Sequence, residues 1–412
     1  MAIRKSPVLA LFAAAMAPAG TAQTGTPLAP WTRGTLDIHQ ISTGRGNSAL
    51  FVLPDGTTLL VDAGAAGDGG AEIDPHPNGS RRPGEWIARY IHRHLPADLT
   101  ALDYALITHF HGDHMGQVTP SSPLDRTGMY RLAGITDVAE ALPIHTLLDR
   151  GWPDYSYPAP LTDENVANYR RFVAAQPRGM KIERFRPGSA TQITLRYDAA
   201  NYPAFAIRNV VGNGEVWTGN ASETTQIFPP IQSLVAADLP TENMCSLGLR
   251  LEYGPFRYYT GGDLPGAADP GFPVWHSVEP AIAGVVGRVD VHVVNQHGSM
   301  GEESEAFLRE LQSTVLIVPA WAPSHPAPDV LKRIINSRLP PARRYVLATD
   351  LREAARIVIG PRANQLAGPP GHVVIRVEPG GKQYRVFVLE NQDERDLVVA
   401  ELGPFASRGG LP

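Results

Sequence analysis

Residues 107–114 read Ile-Thr-His-Phe-His-Gly-Asp-His, and no other stretch of the chain is as informative. His109, His111, Asp113 and His114 lie within six positions. Imidazoles and a carboxylate packed this closely would repel one another or need many hydrogen-bond partners, whereas bound divalent metal accounts for all of them. Their nitrogen and oxygen atoms suit Zn²⁺, and also Mn²⁺ or Fe. This cluster therefore predicts a metal site.

Composition narrows the kind of metal site and the class of protein. The chain has 412 residues, of which 43% are hydrophobic and 19% are charged, as is typical of a globular protein. Its one cysteine, Cys245, excludes an intramolecular disulfide and a structural zinc site built on paired cysteines. An open catalytic site is therefore favoured. The net charge of −5 provides no long-range attraction for nucleic acid.

Strands and helices alternate on both sides of the cluster, which follows a predicted strand at 102–107. Two strand-rich halves with helices between them predict one large α/β domain. The sequence predicts strands at 36–41, 49–53, 58–61, 193–197, 205–210, 246–253, 256–260, 289–294, 315–318, 345–348, 373–377 and 384–389, and helices at 86–95, 165–175, 280–286 and 329–335.

Four motifs, in this order along the chain, resemble those of the metallo-β-lactamase superfamily. Asp62 ends the first group of strands, and the His109–His114 cluster follows the next strand. Thr260-Gly261-Gly262-Asp263 matches a Thr-Gly-Asp motif with one extra glycine, and His297 lies after a later strand. The resemblance covers about residues 35–350. It implies an αββα four-layer sandwich and hydrolysis by a metal-bound hydroxide.

The resemblance also implies two metal positions, with Zn²⁺ in one or both. Asp62 would orient ligand histidines from behind, and Asp113 would orient the hydroxide. A histidine that many members carry shortly before the later hairpin is missing here. Water, Glu242, Asn243 or Cys245 remains as the possible fourth ligand of the first position. The first position would use His109, His111 and Asp263, and the second would use Asp113, His114, Asp263 and His297.

A closer likeness is to the metallohydrolase domain of the competence protein ComEC and its stand-alone relatives. Gly44-Arg45-Gly46-Asn47-Ser48, Asn243-x-x-Ser246 and Gln296-His297-Gly298-Ser299 resemble elements of that subgroup, although Gln296 replaces a histidine. This likeness favours phosphodiester or nuclease-type substrates. The negative charge and the lack of a run rich in Arg and Lys disfavour long polynucleotides. A lactonase or β-lactamase-like hydrolase is the alternative enzyme, and a non-catalytic binding protein that retains the fold is the alternative outside enzymes.

The ends of the chain have their own signals. Arg4 and Lys5 precede an apolar run at 8–17 that is too short to span a bilayer, so residues 1–22 are predicted to be a signal peptide. We therefore expect a periplasmic or secreted protein without a membrane span in the mature chain. The predicted organisation continues with a linker at 23–34, a hydrolase domain at 35–390 with an insert at about 115–240, and a tail at 391–412.

For the other histidines and charged residues, a structural role is the better interpretation than a functional one. His145 and Asp149-Arg150 are interpreted as parts of solvated turns in the insert. Trp321 is expected to pack and His325 to lie on the surface, although both could line the cleft. Cys245 is expected to be a buried thiol. Structural or exposed positions are expected for His39, His92, His94 and His276.

Overall fold

Two facing β-sheets form the centre of the computed structural model, which describes residues 24–67 and 74–409. Within these residues the sheets have nine and eight strands. Their inner faces pack together through buried apolar side chains, among them Phe51, Leu249 and Val291. Helices cover both outer faces, so the predicted αββα four-layer sandwich is confirmed. The predicted signal peptide lies outside the described residues.

The strands are β1 (Leu36–Gln40), β2 (Ala49–Val52), β3 (Thr58–Val61), β4 (Leu102–Leu106), β5 (Ile144–Asp149), β6 (Lys181–Arg184), β7 (Phe205–Gly212), β8 (Glu215–Trp217), β9 (Thr224–Gln226), β10 (Gly248–Tyr253), β11 (Phe256–Thr260), β12 (Val291–Val293), β13 (Val315–Val318), β14 (Tyr345–Ala348), β15 (His372–Val377), β16 (Gln383–Leu389) and β17 (Val398–Ala406). The first sheet has the order β17-β16-β15-β1-β2-β3-β4-β5-β6, and the second has the order β14-β13-β12-β11-β10-β7-β8-β9.

The helices are α1 (Pro83–His94), α2 (Gly112–Met115), α3 (Ile135–Ala141), α4 (Glu164–Ala175), α5 (Glu279–Val286), α6 (Glu305–Leu311), α7 (Pro328–Asn336) and α8 (Glu353–Ile359). Helices α1, α3 and α4 pack on the first sheet. Helices α5 to α8 pack on the second.

Strands in the middle of each sheet are buried on both faces. In β2, Phe51 points into the space between the sheets, while Leu50 and Val52 pack against the outer helices. A strand covered on both sides needs apolar residues at every position rather than at alternate ones. This explains the continuous apolar runs of β2 and of β13, Val315–Val318.

Parallel pairing brings the ends of four strands to one edge of the sandwich. Strands β3 and β4 are parallel neighbours in the first sheet, as are β11 and β12 in the second. Asp62 follows β3, His109 comes shortly after β4, and Asp263 comes shortly after β11. His297 lies in the loop after β12. The fold therefore gathers residues that are far apart in the sequence.

The structure differs from the sequence prediction at both ends of the domain and in the insert. Leu28, in the predicted linker, is buried beside Val398, and the predicted tail contains β17, which pairs with β16. The predicted insert supplies β5 and β6 of the first sheet and β7 to β9 of the second. The predicted strand at 193–197 is wrong. Its backbone amides bond to side chains instead, since Arg196 donates to Thr57 Oγ1 and Tyr197 donates to Asp55 Oδ2.

Across residues 24–67 and 74–409, no helix has both the length and the apolar character needed to cross a bilayer.

Candidate metal centre

Glycines allow the cluster to pack tightly beneath the ends of β3 and β4. Helix α2 is a single turn that contains Asp113 and His114. The carbonyl oxygen of Asp113 accepts a hydrogen bond from Asn47 N at 2.8 Å. A Cβ atom at Gly64 would lie 2.1 Å from the same oxygen, and one at Gly46 would lie 2.2 Å from it. Any larger residue at either position would push α2 away from its place.

Asp113, His114, Asp263 and His297, here called the four-residue group, converge on one point. Their nearest ligand atoms all lie within 4.8 Å of one another. His114 Nε2 is 3.2 Å from His297 Nε2 and 3.0 Å from Asp263 Oδ1. His297 Nε2 is 3.1 Å from Asp113 Oδ2. Of the four side chains Asp113 is the most exposed, at 17%.

Hydrogen bonds on the outer side of the two imidazoles fix which nitrogens face this point. His114 Nδ1 lies 2.7 Å from Asp62 Oδ2, and His297 Nδ1 lies 2.9 Å from the Pro319 carbonyl oxygen. Both oxygens accept only, so each Nδ1 carries the proton and donates. In the neutral rings, each Nε2 then presents a lone pair to the other. Two facing lone pairs do not bond to each other, but one cation between them satisfies both.

Asp62 is held behind His114 by a set of donors. Its Oδ1 accepts from Thr108 N at 2.8 Å, and its Oδ2 accepts from Thr108 Oγ1 at 2.8 Å and from Asn47 Nδ2 at 2.9 Å. The backbone of Asp62 has a φ of 61°, which a non-glycine residue seldom adopts. The structure thus places Asp62 in contact with one imidazole of the group and away from its centre.

His109, His111 and Asp263, here called the three-residue group, form a second convergence beside the first. His109 Nε2 is 3.0 Å from His111 Nδ1 and 3.7 Å from Asp263 Oδ2. His111 is exposed, whereas His109 is fully buried. Asp263 turns Oδ1 toward one group and Oδ2 toward the other, as a carboxylate that bridges two cations would. Its buried Oδ1 makes no hydrogen bond.

The electrostatics of the cluster favour a cation. Burial raises the pKa of Asp113 and Asp263, but His114 and His297 outweigh it and hold both pKa values well below the usual range. Burial lowers the pKa of His114, yet Asp263, Asp62 and Asp113 together raise it well above normal. The carboxylates are thus ionised, and in the absence of a cation protons on the imidazoles balance them. A metal ion would replace those protons, so its binding strengthens as pH rises.

A buried ion pair occupies the place where the missing histidine was expected. Glu242 Oε1 accepts from Phe110 N at 2.8 Å and from Arg150 Nε at 2.7 Å. The Arg150 guanidinium is completely buried and also donates to the Tyr157 carbonyl and to Asn213. The interpretation of Asp149-Arg150 as a solvated turn is therefore wrong. Glu242 neutralises the arginine. The available signal was the position of Arg150 directly after the apolar strand β5.

Two aromatic residues after β13 flank His297. The His325 ring stacks on the His297 ring with centroids 4.9 Å apart, and Trp321 meets His297 edge-on at 5.9 Å. His325 is buried, so the expectation of a surface position is wrong; the turn at Ala322 folds it inward, where Ala322 N donates to its Nδ1. His145 is exposed but lies in β5, so its interpretation as part of a turn is wrong, whereas Cys245 is buried as expected.

One family model matches the segment around the cluster. Residues 42–120 match the model of the Metallo-beta-lactamase superfamily. The matched segment contains Asp62 and the His109–His114 cluster, so the resemblance is confirmed over that part of the chain. A search of curated proteins found no match.

Solved structures with similar chain paths show low identity. A point mutant of the β-hydroxylase CmlA aligns at 13% identity and a TM-score of 0.38, covering 79% of this chain. The present chain spans about half, 54%, of that protein. Zn²⁺-bound PqqB from Methylobacterium extorquens aligns at 15% identity and a TM-score of 0.33, covering 64% of this chain and 73% of PqqB.

Proposed function

We propose that this chain is a metal-dependent hydrolase of the metallo-β-lactamase superfamily that acts on small phosphodiesters. The observation that carries the proposal is the convergence of His114 Nε2, His297 Nε2 and the Asp263 carboxylate, with both imidazoles held from behind by acceptors. The residues fit Zn²⁺ best, in one or both positions, with Mn²⁺ or Fe as alternatives. A divalent cation held there supplies Lewis-acid polarisation of the scissile bond and of water.

The exposed side of the cluster defines where substrate would approach. Asp113 and His111 are its accessible members, whereas His109, His114, Asp263 and His297 are buried. An ionised Asp113 can accept a hydrogen bond from an attacking water and so orient it. Asp62 cannot take this part, because its two oxygens are already occupied by Thr108, Asn47 and His114.

The substrate class rests on the likeness to the ComEC metallohydrolase domain and on charge. A cavity of about 400 Å³ is lined by Ala65 and Gln117, and Ala65 N bonds to the carbonyl of Gly112, within the cluster loop. None of the six candidate ligands, all of them described residues, lines this cavity. Charged residues of both signs line this cavity, so a compact phosphodiester suits it better than a polynucleotide. They are Arg45, Arg81, Arg82, Asp74, Glu85 and Asp137.

A substrate panel tests the proposal. The protein is loaded with Zn²⁺ or Mn²⁺, and turnover of bis-(p-nitrophenyl) phosphate, nitrocefin and a lactone is compared. We expect the phosphodiester to be preferred. Preference for nitrocefin or for the lactone would assign the alternative hydrolase. Less than half an equivalent of bound metal after reconstitution, with no turnover, would favour a binding protein that retains the fold.

We also propose that the mature protein is periplasmic or secreted. The basic residues at 4–5 and the apolar run at 8–17 support cleavage before Gln23. Amino-terminal sequencing of the protein recovered from a periplasmic fraction should begin at Gln23. Recovery of the intact amino terminus from the cytoplasm would contradict export without bearing on the metal site.

A further inference from the structure

The two groups differ in the number of protein ligands they present. The four-residue group supplies four side chains, whereas among the His, Cys, Asp and Glu residues of the described ranges only three converge at the other group. A side-chain amide oxygen also binds divalent cations. Asn243, just before β10, carries such an oxygen.

Residues 242–247 run alongside the backbone of His109. Phe110 N donates to the Glu242 side chain at 2.8 Å, and Leu247 N donates to the Thr108 carbonyl at 3.0 Å. His109 lies between these two anchor points in the sequence. The segment is thus held at a fixed distance from the three-residue group.

The segment contains a 3₁₀ turn, Asn243–Cys245, whose geometry sorts the side chains into three faces. Side chains three positions apart share a face in such a turn. Glu242 and Cys245 share the face toward Arg150. Met244 packs in the core with Leu264 and Val278.

Asn243 shares the third face with Ser246, and the Ser246 hydroxyl contacts Asp263. Ser246 Oγ accepts a hydrogen bond from Asp263 N at 3.2 Å. The Asn243 Oδ1 atom is buried and has no hydrogen-bond partner. A buried carbonyl oxygen without a donor is costly, and a cation beside it removes that cost.

We propose that Asn243 Oδ1 is the fourth protein ligand of a metal ion held by His109, His111 and Asp263. This inference rests on the proposed function. Of the competing ligands, Glu242 is paired with Arg150, and Cys245 lies on the Glu242 face of the turn rather than on the Asn243 face. The resulting set has two nitrogens and two oxygens. Imidazole nitrogens suit Zn²⁺, and carboxylate and carbonyl oxygens suit Mn²⁺. The preference of this set for Zn²⁺ over Mn²⁺ is therefore weaker than that of a set with three histidines.

Stepwise metal binding to the full chain tests the assignment. Zn²⁺ and Mn²⁺ affinities are measured by competition with a chromophoric chelator for the wild type, Asn243→Ala and Asn243→His. Cys245→Ala is the matched control, because it alters another face of the same turn. Circular dichroism of the metal-free proteins checks that each variant folds. The spectrum of bound Co²⁺ reports the ligands directly.

We expect Asn243→Ala to bind one equivalent of Zn²⁺ as the wild type does and to bind the second at least about tenfold more weakly. Asn243→His should bind the second Zn²⁺ more tightly, gain less for Mn²⁺ and change the Co²⁺ spectrum. Cys245→Ala should leave both steps unchanged.

If the wild type binds two equivalents of Zn²⁺ with affinities that Asn243→Ala does not change, that result would overturn the Asn243 assignment and leave the proposed function standing. A wild type that binds a single equivalent, unaffected by either Asn243 variant, would do the same. A loss confined to Cys245→Ala would transfer the role to the thiol. A wild type that binds no metal would refute the hydrolase proposal and this one together.

Discussion

The two halves of the metal centre share Asp263 but are built differently. In the four-residue group three of the four side chains are buried, and the imidazoles of His114 and His297 each have a fixed acceptor behind them. In the three-residue group His111 is exposed, and the partner of His109 Nδ1 within the described residues is the Thr108 hydroxyl, at 3.3 Å. The side chains of the four-residue group are therefore fixed in place before a metal binds. The side chains of the three-residue group are held by fewer contacts.

This difference sets an order of filling. Rotating a ligand into place costs conformational entropy when a cation binds, and ligands that are already fixed have lost that entropy on folding. We therefore expect the four-residue group to bind its metal ion more tightly than the three-residue group. The carboxylate of Asp263 couples the two, because one oxygen faces each group.

Removal of the shared carboxylate should have the largest effect. Asp263→Ala deletes a ligand from both groups, so we expect the affinity for both metal ions to fall. Turnover should fall by more than about 100-fold, which exceeds the loss typical of a residue that only hydrogen-bonds to a ligand. Elemental analysis after dialysis and the rate with the preferred substrate measure this. Asp263→Asn keeps the volume and one oxygen ligand and serves as the comparison. Retention of two tightly bound ions in Asp263→Ala would show that Asp263 does not bridge.

His111→Ala should separate the two halves. We expect loss of the weaker equivalent and of most activity, with the tighter equivalent retained, because His111 belongs to the three-residue group alone. The fold should be kept, since the side chain is exposed. His145→Ala, an exposed histidine outside the cluster, is the control for thermal unfolding and metal content. Unchanged turnover in His111→Ala would refute the assigned site.

Much of the fold could be predicted from local patterns. The strands at 58–61, 315–318 and 345–348 have the predicted bounds, because continuous apolar runs between turn residues leave little choice of register. Strand β6, Lys181–Arg184, was missed because it is short, polar and half-exposed at a sheet edge. Its pairing with β5 depends on contacts that the local sequence does not contain.

Four candidate ligands, those at 109–114, could be predicted from their close spacing, and Asp263 and His297 followed from the resemblance of their motifs to a family; the structure brings all six together. Their surroundings could not. The acceptor behind His297 is a backbone carbonyl, that of Pro319, which has no residue-type signal. The partner of Arg150 is Glu242, 92 positions away, and only the packed fold shows that this glutamate is occupied.

Asp62→Ala should weaken metal binding at the four-residue group more than at the three-residue group. The change removes the acceptor of His114 Nδ1, and the loss of such an outer partner typically lowers metal affinity by about 10–100-fold. We expect that loss at the tighter Zn²⁺-binding step, measured by chelator competition. Asn47→Ala is the matched control, since it removes the side-chain amide bond to Asp62 and leaves the bond between Asp62 and His114. Equal weakening of both steps would mean that Asp62 acts through the fold rather than through His114.

The smallest effect on metal binding is expected when a buried histidine outside the cluster, His372, is changed. His372 Nδ1 accepts a hydrogen bond from Ser42 N at 3.0 Å, and the ring packs on Tyr90. Burial lowers the pKa of His372 to about 3, whereas the carboxylates around His114 raise the pKa of that ligand. Burial is thus the largest influence on the pKa of His372, whereas at His114 the surrounding carboxylates outweigh burial.

The sign of the pH effect follows from the lowered pKa. In the unfolded chain His372 takes up a proton near its ordinary pKa of about 6.5, whereas in the folded chain it does not. The contribution of His372 to the free energy of unfolding is therefore fully present above that pH. Stability falls as pH drops from there toward 3, by about 1.4 kcal/mol per pH unit for this one proton. We measure the free energy of unfolding in urea for the chelator-treated protein at several pH values between about 6.5 and 3. In His372→Gln the slope of this free energy against pH should be smaller by that amount. Zinc stoichiometry at neutral pH should stay at the wild-type value. An unchanged slope would mean that His372 is protonated in the folded state, and a changed stoichiometry would mean that the two regions are coupled.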